Sequence, residues 1–270
     1  MNKAPPSTIF HPMDPARIAE LLQPFVEGTL SPRPIREWTE PSVFAKSFPS
    51  AEASSVEKSA LLSPVLLQNI STYIDLLLRW NARINLTAVR DPEEMVTRHF
   101  GESLFAARHL FPDPRVPFPG EAPPPVTASG PQGRSARDLI DLGSGAGFPG
   151  LPIKMWAPGI GATLIESNQK RATFLREAIR ALRLTDINVF SGRGEDFTEQ
   201  ALIVILRAVE RFDAALPAAA NLVAPAGRIA LLVGGAQVER ARELLPAFAW
   251  QHPVSIPLSS NRVLLLGKGI

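Results

Sequence analysis

In residues 137–150, RDLIDLGSGAGFPG, four glycines follow directly behind a short apolar run that ends at Asp141. The glycines are Gly143, Gly145, Gly147 and Gly150. Because glycine has no side chain, such a turn lets the backbone pass close to a ligand, and the helix that follows favours anionic or polar groups at its start. The stretch therefore predicts a strand, a loop that holds a nucleotide-type cofactor, and a helix.

Strand-like and helical runs alternate from this loop to the end of the chain. The strand candidates are DLID, ATLIE, INVF, LIVIL, RIALLV and a closing pair near VSIP and RVLLLGK, and the clearest helix is QKRATFLREAIRALRL. This alternation predicts an α/β fold with a doubly wound, mostly parallel sheet. The ligand site should lie at the carboxyl ends of the first strands, where the strand order reverses.

Two cofactors fit the glycine loop. GAGFPG satisfies the dinucleotide pattern G-x-G-x-x-G, so the glycines alone do not separate NAD from S-adenosylmethionine. A carboxylate of Asp141 at the mouth of the loop would repel the pyrophosphate of NAD and attract an ammonium group, a preference of about 1–4 kcal/mol, which favours S-adenosylmethionine. Glu166 ends the second strand and can accept hydrogen bonds from the ribose of either cofactor. A tight turn without a ligand is the third alternative.

Proline content divides the chain. Of 270 residues 27 are proline, about twice the usual ~5%, with nine in residues 1–60 and eight between Pro112 and Pro131. We predict a flexible extension in 1–60, a helical cap in 61–111, a flexible inserted loop in 112–136 and an α/β core in 137–270. Few buried contacts are expected in residues 1–50, so their removal should leave thermal stability nearly unchanged. Alternatively, ARIAELLQPF docks as a short helix through its apolar residues, Ile18, Leu21, Leu22 and Phe25.

The cap contains two predicted helices. Ser63 and Pro64 mark the start of the first, which should end at about Trp80, and Asp91 with Pro92 marks the start of the second. The predicted apolar faces are Leu66, Ile70, Tyr73 and Leu77 in the first helix and Val96, Phe100, Leu104 and Ala107 in the second.

Composition excludes several classes of protein. The absence of cysteine excludes disulfides, thiolate zinc sites, iron–sulfur clusters and a cysteine nucleophile, and we expect no metal site. No run approaches the ~20 apolar residues of a membrane span, and MNKAPPSTIF lacks the apolar block of a signal peptide, so the expectation is a soluble cytoplasmic protein. A formal charge of +2 is compatible with nucleic acid without requiring it.

An ordered set of motifs makes the assignment more specific. WNARINLTAV, RHFGESL, DLGSGAGFPGLPIK, LIESNQKRATFL and FSGRGEDF resemble the bacterial 16S ribosomal RNA guanine-N7 methyltransferase G family, also called glucose-inhibited division protein B. The resemblance runs from about Leu66 to the end, interrupted by the insert. It implies a seven-stranded Rossmann-like methyltransferase fold, S-adenosylmethionine as cofactor, and small-subunit ribosomal RNA or a partly assembled subunit as the partner of a monomer.

The resemblance also implies roles for individual residues. The turn from Gly143 to Phe148 would lie against the cofactor, Glu166 would face the ribose, and Gly194 and Glu195 would lie beside the adenine. Arg207 resembles a catalytic residue poised at the cofactor and target base, although an arginine that only forms a salt bridge is the alternative. With Asp141, the predicted cofactor-binding set is Asp141, Gly143, Gly145, Gly147, Phe148, Glu166, Gly194, Glu195 and Arg207.

Methylation at guanine N7 suits these residues. The N7 lone pair is not protonated at neutral pH and attacks the sulfonium methyl group without a general base, so catalysis depends on alignment and desolvation. Without cysteine there is no covalent attack on a pyrimidine ring. There is also no Asn/Asp-Pro-Pro-aromatic tetrapeptide of the type that holds exocyclic amines.

Two basic surfaces are candidates for RNA binding. Arg176, Arg180 and Arg183 line one face of the helix after the second strand, and Lys170 and Arg171 add charge at its start. A second candidate surface comprises Arg98 and His99. The alternatives are a solvated face for the first surface and a local hydrogen-bond network for the second.

The chain departs from the family pattern at four positions. Gly194 replaces the usual alanine and Glu102 the usual aspartate, both mild changes. Leu202 stands where the family commonly has aspartate, and Val233 where it tends to have lysine. If both charges belong near the site, an RNA-binding protein without catalysis stays open as an alternative, beside an NAD-dependent oxidoreductase.

Overall fold

The computed structural model describes residues 12–27, 62–112, 137–207 and 211–269. Most of the predicted extension and nearly all of the predicted insert lie outside these residues, so their predicted flexibility and exact boundaries stay predictions. The described part forms a helical cap beside a mixed α/β sheet.

Eight strands form one sheet. They are β1 (Arg137–Leu142), β2 (Ala162–Ile165), β3 (Ile187–Phe190), β4 (Ala201–Arg207), β5 (Val223–Gly234), β6 (Phe248–Trp250), β7 (Val254–Ser255) and β8 (Arg262–Gly269). The order is β3-β2-β1-β4-β5-β8-β6, with the two-residue β7 paired to β8. The first five strands are parallel, and β8 is antiparallel to its neighbours.

The predicted doubly wound α/β fold is confirmed. The seven predicted strands are all present, but VSIP forms the short β7 beside β8, and the seventh strand of the continuous path is β6. β6 was missed because its three residues are only half-buried and show no alternation. The strand order reverses at β1, where Asp141 pairs in register with Leu164 of β2 and Ile205 of β4. The carboxyl ends of these three strands therefore meet at one edge, where the ligand site was expected.

The helices form the cap and cover both faces of the sheet. They are α1 (Pro15–Val26), α2 (Pro64–Asn81), α3 (Pro92–Met95), α4 (Glu102–Leu110), α5 (Gly150–Trp156), α6 (Gln169–Ala181), α7 (Phe212–Asn221) and α8 (Gln237–Leu244). Alternate residues of β1 point to opposite faces of the sheet. Leu139 belongs to the core on the face covered by the cap, α5 and α6, and Ile140 belongs to the core on the face covered by α7 and α8. Burial on both faces explains why the central strands are almost continuously apolar.

The predicted cap helices begin where their signals place them. Ser63 caps α2, its Oγ accepting from the Leu66 N–H at 3.2 Å, and Asp91 caps α3, its Oδ1 accepting from the Glu94 N–H at 2.8 Å. α2 ends at Asn81, one residue beyond the prediction. All eight residues of the two predicted apolar faces are buried.

The second cap helix is not uniform. A π-helical segment, Val96–Gly101, separates α3 from α4. The wider turn was not visible in the sequence, because the apolar residues keep helical spacing through it. π-helical turns are frequent at functional sites, and this one contains Arg98 and His99.

α1 packs on the cap, as the docking alternative predicted. Asp14 caps the helix, and its inner face buries Ile18, Leu22, Phe25 and Val26 to 1% exposure or less. The expectation of few buried contacts within residues 1–50 is therefore wrong for this helix. The helix contains Pro15 at its first position, where proline is tolerated, and Pro24 in its last turn, and its 3.6-residue apolar period outweighs both.

Replacing Phe25 with alanine should lower the free energy of unfolding by about 3–5 kcal/mol, because it empties a buried aromatic site. A Cβ on Gly101 would come within 2.5 Å of the Phe25 ring, so Gly101→Ala should also destabilise the parent. In the Phe25→Ala background the same glycine change should be tolerated. Urea unfolding of the four proteins of this double-mutant cycle measures the coupling, and simple additivity would contradict the packing of α1 against the π-helical segment.

Candidate functional site

A cavity of about 260 Å³ opens at the carboxyl ends of β1, β2 and β3. Four predicted cofactor-binding residues line it: Gly143, Glu166, Gly194 and Glu195. The rest of its wall includes Arg193 and, from the start of α7 and the residue before it, Arg211, Ala214, Ala215 and Ala218. The contribution of α7 was missed, because the sequence shows no signal in AALPAA beyond helix-forming residues.

The glycine turn presents open space on the cavity side. Gly143 and Gly145 have φ of +75° and +57°, which disfavours most other residues. A Cβ on Gly143 would have no neighbour within 4 Å, and one on Gly145 would meet only the Gly143 carbonyl oxygen at 3.8 Å. The space beside these two residues is therefore available to a ligand.

Glu166 fixes the shape of this turn. Its Oε2 accepts from the Gly145 N–H at 2.8 Å, and its Oε1 accepts from the Asn168 N–H at 2.7 Å. Each carboxylate oxygen has a second lone pair, so Glu166 retains acceptor capacity toward the cavity that it lines. The sequence predicted a ribose acceptor here but not the backbone contact that orients it.

Asp141 has a different position from the one predicted. Its side chain is fully buried, and its Oδ2 accepts from the Gly150 N–H at the start of α5 at 2.9 Å. Burial raises the pKa of this carboxyl to about 7. Asp141 does not line the cavity and lies behind the turn rather than at its mouth, so its predicted influence on the choice of cofactor stays a prediction.

Gly147 and Phe148 face the cap rather than the cavity. A Cβ on Gly147 would collide with the Tyr73 hydroxyl and come within 2.5 Å of Leu151 Cδ1. Phe148 stacks on Tyr73 with ring centroids 5.4 Å apart and on His99 at 4.7 Å. The Tyr73 hydroxyl donates to the Ala146 carbonyl oxygen. These two predicted cofactor residues therefore join the glycine turn to the cap.

Arg207 ends β4 and ties the sheet to the cap. Its side chain is only 10% exposed and lies 3.1 Å from the Glu102 carboxylate. Its Nη2 donates to the Arg98 carbonyl oxygen at 2.7 Å and lies 3.1 Å from His99 Nδ1. Burial lowers its pKa to about 10, so the guanidinium stays charged at neutral pH. The structure thus shows the salt-bridging alternative, and a catalytic role of Arg207 stays a prediction.

Glu102 is shared by two arginines. Its side chain is 4% exposed, and besides Arg207 it forms an ion pair with Arg262, whose Nε lies 3.0 Å away. Arg262 was not among the predicted residues. It begins β8 and is distant in sequence from every motif, so only the fold brings it to Glu102.

His99 is a neutral member of this network. Arg207 can only donate, so His99 Nδ1 accepts from it, and Nε2 carries the proton that goes to Thr87 Oγ1, 2.7 Å away. Burial and the nearby Arg207, Arg98 and Arg262 lower the His99 pKa to about 3. The structure thus shows the local-network alternative for His99, and a contact of His99 with RNA stays a prediction. Arg98, by contrast, extends a half-exposed side chain paired with Glu94 at 2.8 Å.

The two main departures from the family pattern lie away from this network. Leu202 is at the start of β4, five residues or roughly 16 Å along the strand from Arg207. Val233 is buried in the core under α7 and α8, whereas Arg207 pairs in register with Leu232 and points to the other face. Neither residue lines the cavity at Gly143, and the expectation that these changes remove charges near the site stays a prediction.

The predicted basic face of α6 is exposed. Arg176 and Arg180 lie on the helix, and Arg183 follows its end, all three exposed. In the described part of the chain no carboxylate lies within ion-pair distance of them, nor of Lys170 and Arg171 at the helix start. The arrangement leaves a positive surface without internal neutralisation.

The described residues hold neither a metal cluster nor a spanning helix. Among them no three histidine, aspartate or glutamate side chains converge on a metal-sized site. No helix in the same ranges is both long and apolar enough to cross a bilayer.

Comparisons with known proteins agree on one family. The family model for rRNA small subunit methyltransferase G matches residues 66–115 and 128–259. The Ribosomal RNA small subunit methyltransferase G of Stenotrophomonas maltophilia (strain K279a) is 36% identical over 223 residues, which are 80% of this chain and 91% of that protein. The protein of the same name from Xanthomonas euvesicatoria pv. vesicatoria (strain 85-10) is 35% identical over 84% of this chain and 95% of its own length.

A solved structure supports the fold. Magnesium protoporphyrin IX methyltransferase from Synechocystis PCC 6803 with bound SAM has a TM-score of 0.53 at 12% sequence identity, covering 75% of this chain and 97% of that chain. At this identity the likeness concerns the fold alone.

The neutral state of His99 makes stability depend on pH. Because its pKa is lowered from 6.5 to about 3 on folding, its contribution is present above pH 6.5 and is lost as the pH falls. The unfolding free energy should drop by about 1 kcal/mol from this group between pH 7 and pH 5.5. Urea unfolding at both pH values should show a smaller drop for His99→Gln, which cannot titrate. An equal drop in parent and variant would contradict the assignment.

Proposed function

The chain belongs to the family of rRNA small subunit methyltransferase G, and from this membership we propose that it methylates guanine N7 in 16S ribosomal RNA with S-adenosylmethionine as donor. The observation that carries the proposal is the open side of the glycine turn, held by Glu166 at the point where the strand order reverses. The NAD-dependent oxidoreductase and the non-catalytic RNA-binding protein are not favoured by any of the comparisons.

The residues around the cavity fit S-adenosylmethionine. The backbone at Gly143 and Gly145 would hold its methionine part, Glu166 would accept from the ribose, and Gly194 with Glu195 would lie beside the adenine. S-adenosylmethionine supplies an electrophilic methyl group, which needs no metal and no oxidation. Gly194 stands where the family usually has alanine, and this difference leaves the backbone contact with the adenine available.

No general base is needed for this reaction, and the ionisable groups agree with that. Guanine N7 already carries a free lone pair at neutral pH. His99 is neutral but has both ring nitrogens engaged, and Asp141 is buried behind the turn. The contribution of the chain is therefore to hold the reacting atoms in line and to exclude water from them.

Arg207 acts in this proposal as a positioning residue. It fixes the carboxyl end of β4 against the cap through Glu102 and the Arg98 carbonyl oxygen. Arg207→Ala removes this connection and leaves Glu102 with Arg262 alone. A slower methylation at saturating RNA with little change in RNA affinity is the signature of such a role.

The basic surface of α6 would hold the phosphates of the RNA. Unpaired exposed guanidinium groups gain affinity by releasing counterions from RNA, and Arg176, Arg180 and Arg183 meet that condition. The substrate in this proposal is ribosomal RNA, either free or in a partly assembled subunit, and the enzyme is a cytoplasmic monomer.

The proposed function is tested by transfer of tritium from labelled S-adenosylmethionine to small-subunit ribosomal RNA, with mapping of methylated guanines. Gly145→Asn should abolish transfer and weaken cofactor binding in calorimetry by at least about tenfold, because asparagine tolerates the positive φ but fills the open space. Gly159→Asn is the matched control, since a Cβ there has no neighbour within 4 Å. Transfer to adenine or to a pyrimidine, or tight NAD binding, would refute the proposal.

The α6 surface is tested separately. A triple variant in which alanine replaces Arg176, Arg180 and Arg183 should bind RNA more weakly. The slope of its log affinity against log salt should be smaller by about 0.7–0.9 per lost phosphate contact. Cofactor affinity should be unchanged. The control is Arg240→Ala with Arg242→Ala on α8, whose guanidinium groups are already paired with carboxylates. An unchanged slope in the triple variant would make α6 a merely solvated face.

A further inference from the structure

A second cavity lies on the cap side of the same sheet edge. It has a volume of about 350 Å³ and lies between the π-helical segment and the loop of residues 257–261, the "β8 loop". The β8 loop is fixed to the carboxyl end of β5, because the Asn261 carbonyl oxygen accepts from the Gly235 N–H at 2.9 Å. This second cavity therefore borders the sheet edge that contains Arg207. It is separate from the cavity at Gly143, with which it shares no lining residue.

The β8 loop exposes Leu258 in an unfavourable conformation. Leu258 has φ of +57°, in the left-handed region that leucine rarely adopts, and its side chain is 73% exposed. The turn around it is well defined, with the Arg262 N–H donating to Ser259 Oγ at 3.1 Å. Neither the left-handed backbone nor the exposed apolar side chain of Leu258 stabilises the free protein. Strained residues of this kind concentrate at binding sites.

The charges around the cavity are predominantly positive. Arg98 and Arg262 line it, and Arg207 lies directly behind. Glu102, the carboxylate in its wall, is already shared by two of these arginines, and within the described residues the side chain of Arg98 pairs with the exposed Glu94 alone. Hydroxyl and amide groups of Ser259, Ser260 and Asn261 add hydrogen-bonding capacity.

We propose that this second cavity binds a nucleotide of the ribosomal RNA next to the target guanine, with its phosphate at Arg98 and its sugar or base against Leu258. The volume falls in the range of about 300–1,000 Å³ found for small-ligand sites. Excess positive charge matches a phosphodiester, and an exposed apolar group beside it matches the face of an unstacked base. This inference rests on the proposed function, because it assigns a second contact to the same RNA substrate.

The test uses Leu258→Asn in the full-length protein. Asparagine tolerates the left-handed backbone, so the loop should keep its conformation while the apolar contact is lost. Val65→Asn is the matched control, because Val65 at 71% exposure is the other large apolar side chain that is exposed among the described residues. Fluorescence anisotropy with a labelled fragment of small-subunit ribosomal RNA measures binding, and calorimetry measures S-adenosylmethionine binding.

We expect Leu258→Asn to raise the Kd for RNA at least about fivefold without changing the salt slope or the cofactor affinity. Arg98→Gln should instead reduce the salt slope by about 0.7–0.9. Val65→Asn should behave like the parent in both assays.

The inference is overturned if Leu258→Asn binds RNA like the parent. It is also overturned if the defect of Leu258→Asn appears only with a partly assembled subunit and not with free RNA, because that result would assign the loop to a contact with protein. Failure of the proposed function would be visible elsewhere, in a parent protein that neither binds nor methylates the RNA.

Discussion

The carboxylate of Glu102 holds the two parts of the molecule together. It comes from the cap, and its partners Arg207 and Arg262 begin or end strands at the carboxyl edge of the sheet. Removing one partner of a buried ion pair typically lowers stability by about 3–5 kcal/mol, because the remaining charge is left without compensation. One buried acidic group that balances two basic ones thus joins the cap to this edge of the sheet, in addition to the hydrophobic core that cap and sheet share.

Aromatic packing continues this connection to the glycine turn. Tyr73, Phe148 and His99 form a stack that runs from α2 through the turn to the π-helical segment. Gly147 is needed here because any side chain would displace the Tyr73 hydroxyl. The turn is therefore shaped from both sides, by Glu166 on the cavity side and by the cap on the other.

Sequence reasoning predicted the features that are local in the chain. Helix starts at Ser63 and Asp91, the alternation of strands and helices up to β5, and the strand-end position of Glu166 all follow from short patterns, and the structure confirms them. Partnerships between distant residues were not predictable. Arg262 reaches Glu102 only because β8 runs back to the edge where β4 ends. Asp141 faces α5 because successive side chains of β1 point to opposite faces of the sheet, and a sequence motif does not reveal which face a residue takes.

The spacing of the shared ion cluster along the chain has a consequence for synthesis of the protein. Glu102 leaves the ribosome more than a hundred residues before Arg207 and 160 residues before Arg262. During translation, domains tend to form from the amino terminus onward, so the cap helices can assemble while their buried carboxylate has no cation to neutralise it. Burying such a charge alone is unfavourable, and the first cation that can neutralise it, Arg207, is made only when β4 is complete. Synthesis of β4 is therefore the earliest step after which the cap can close at Glu102 with its charge compensated, and β8 later adds the second cation.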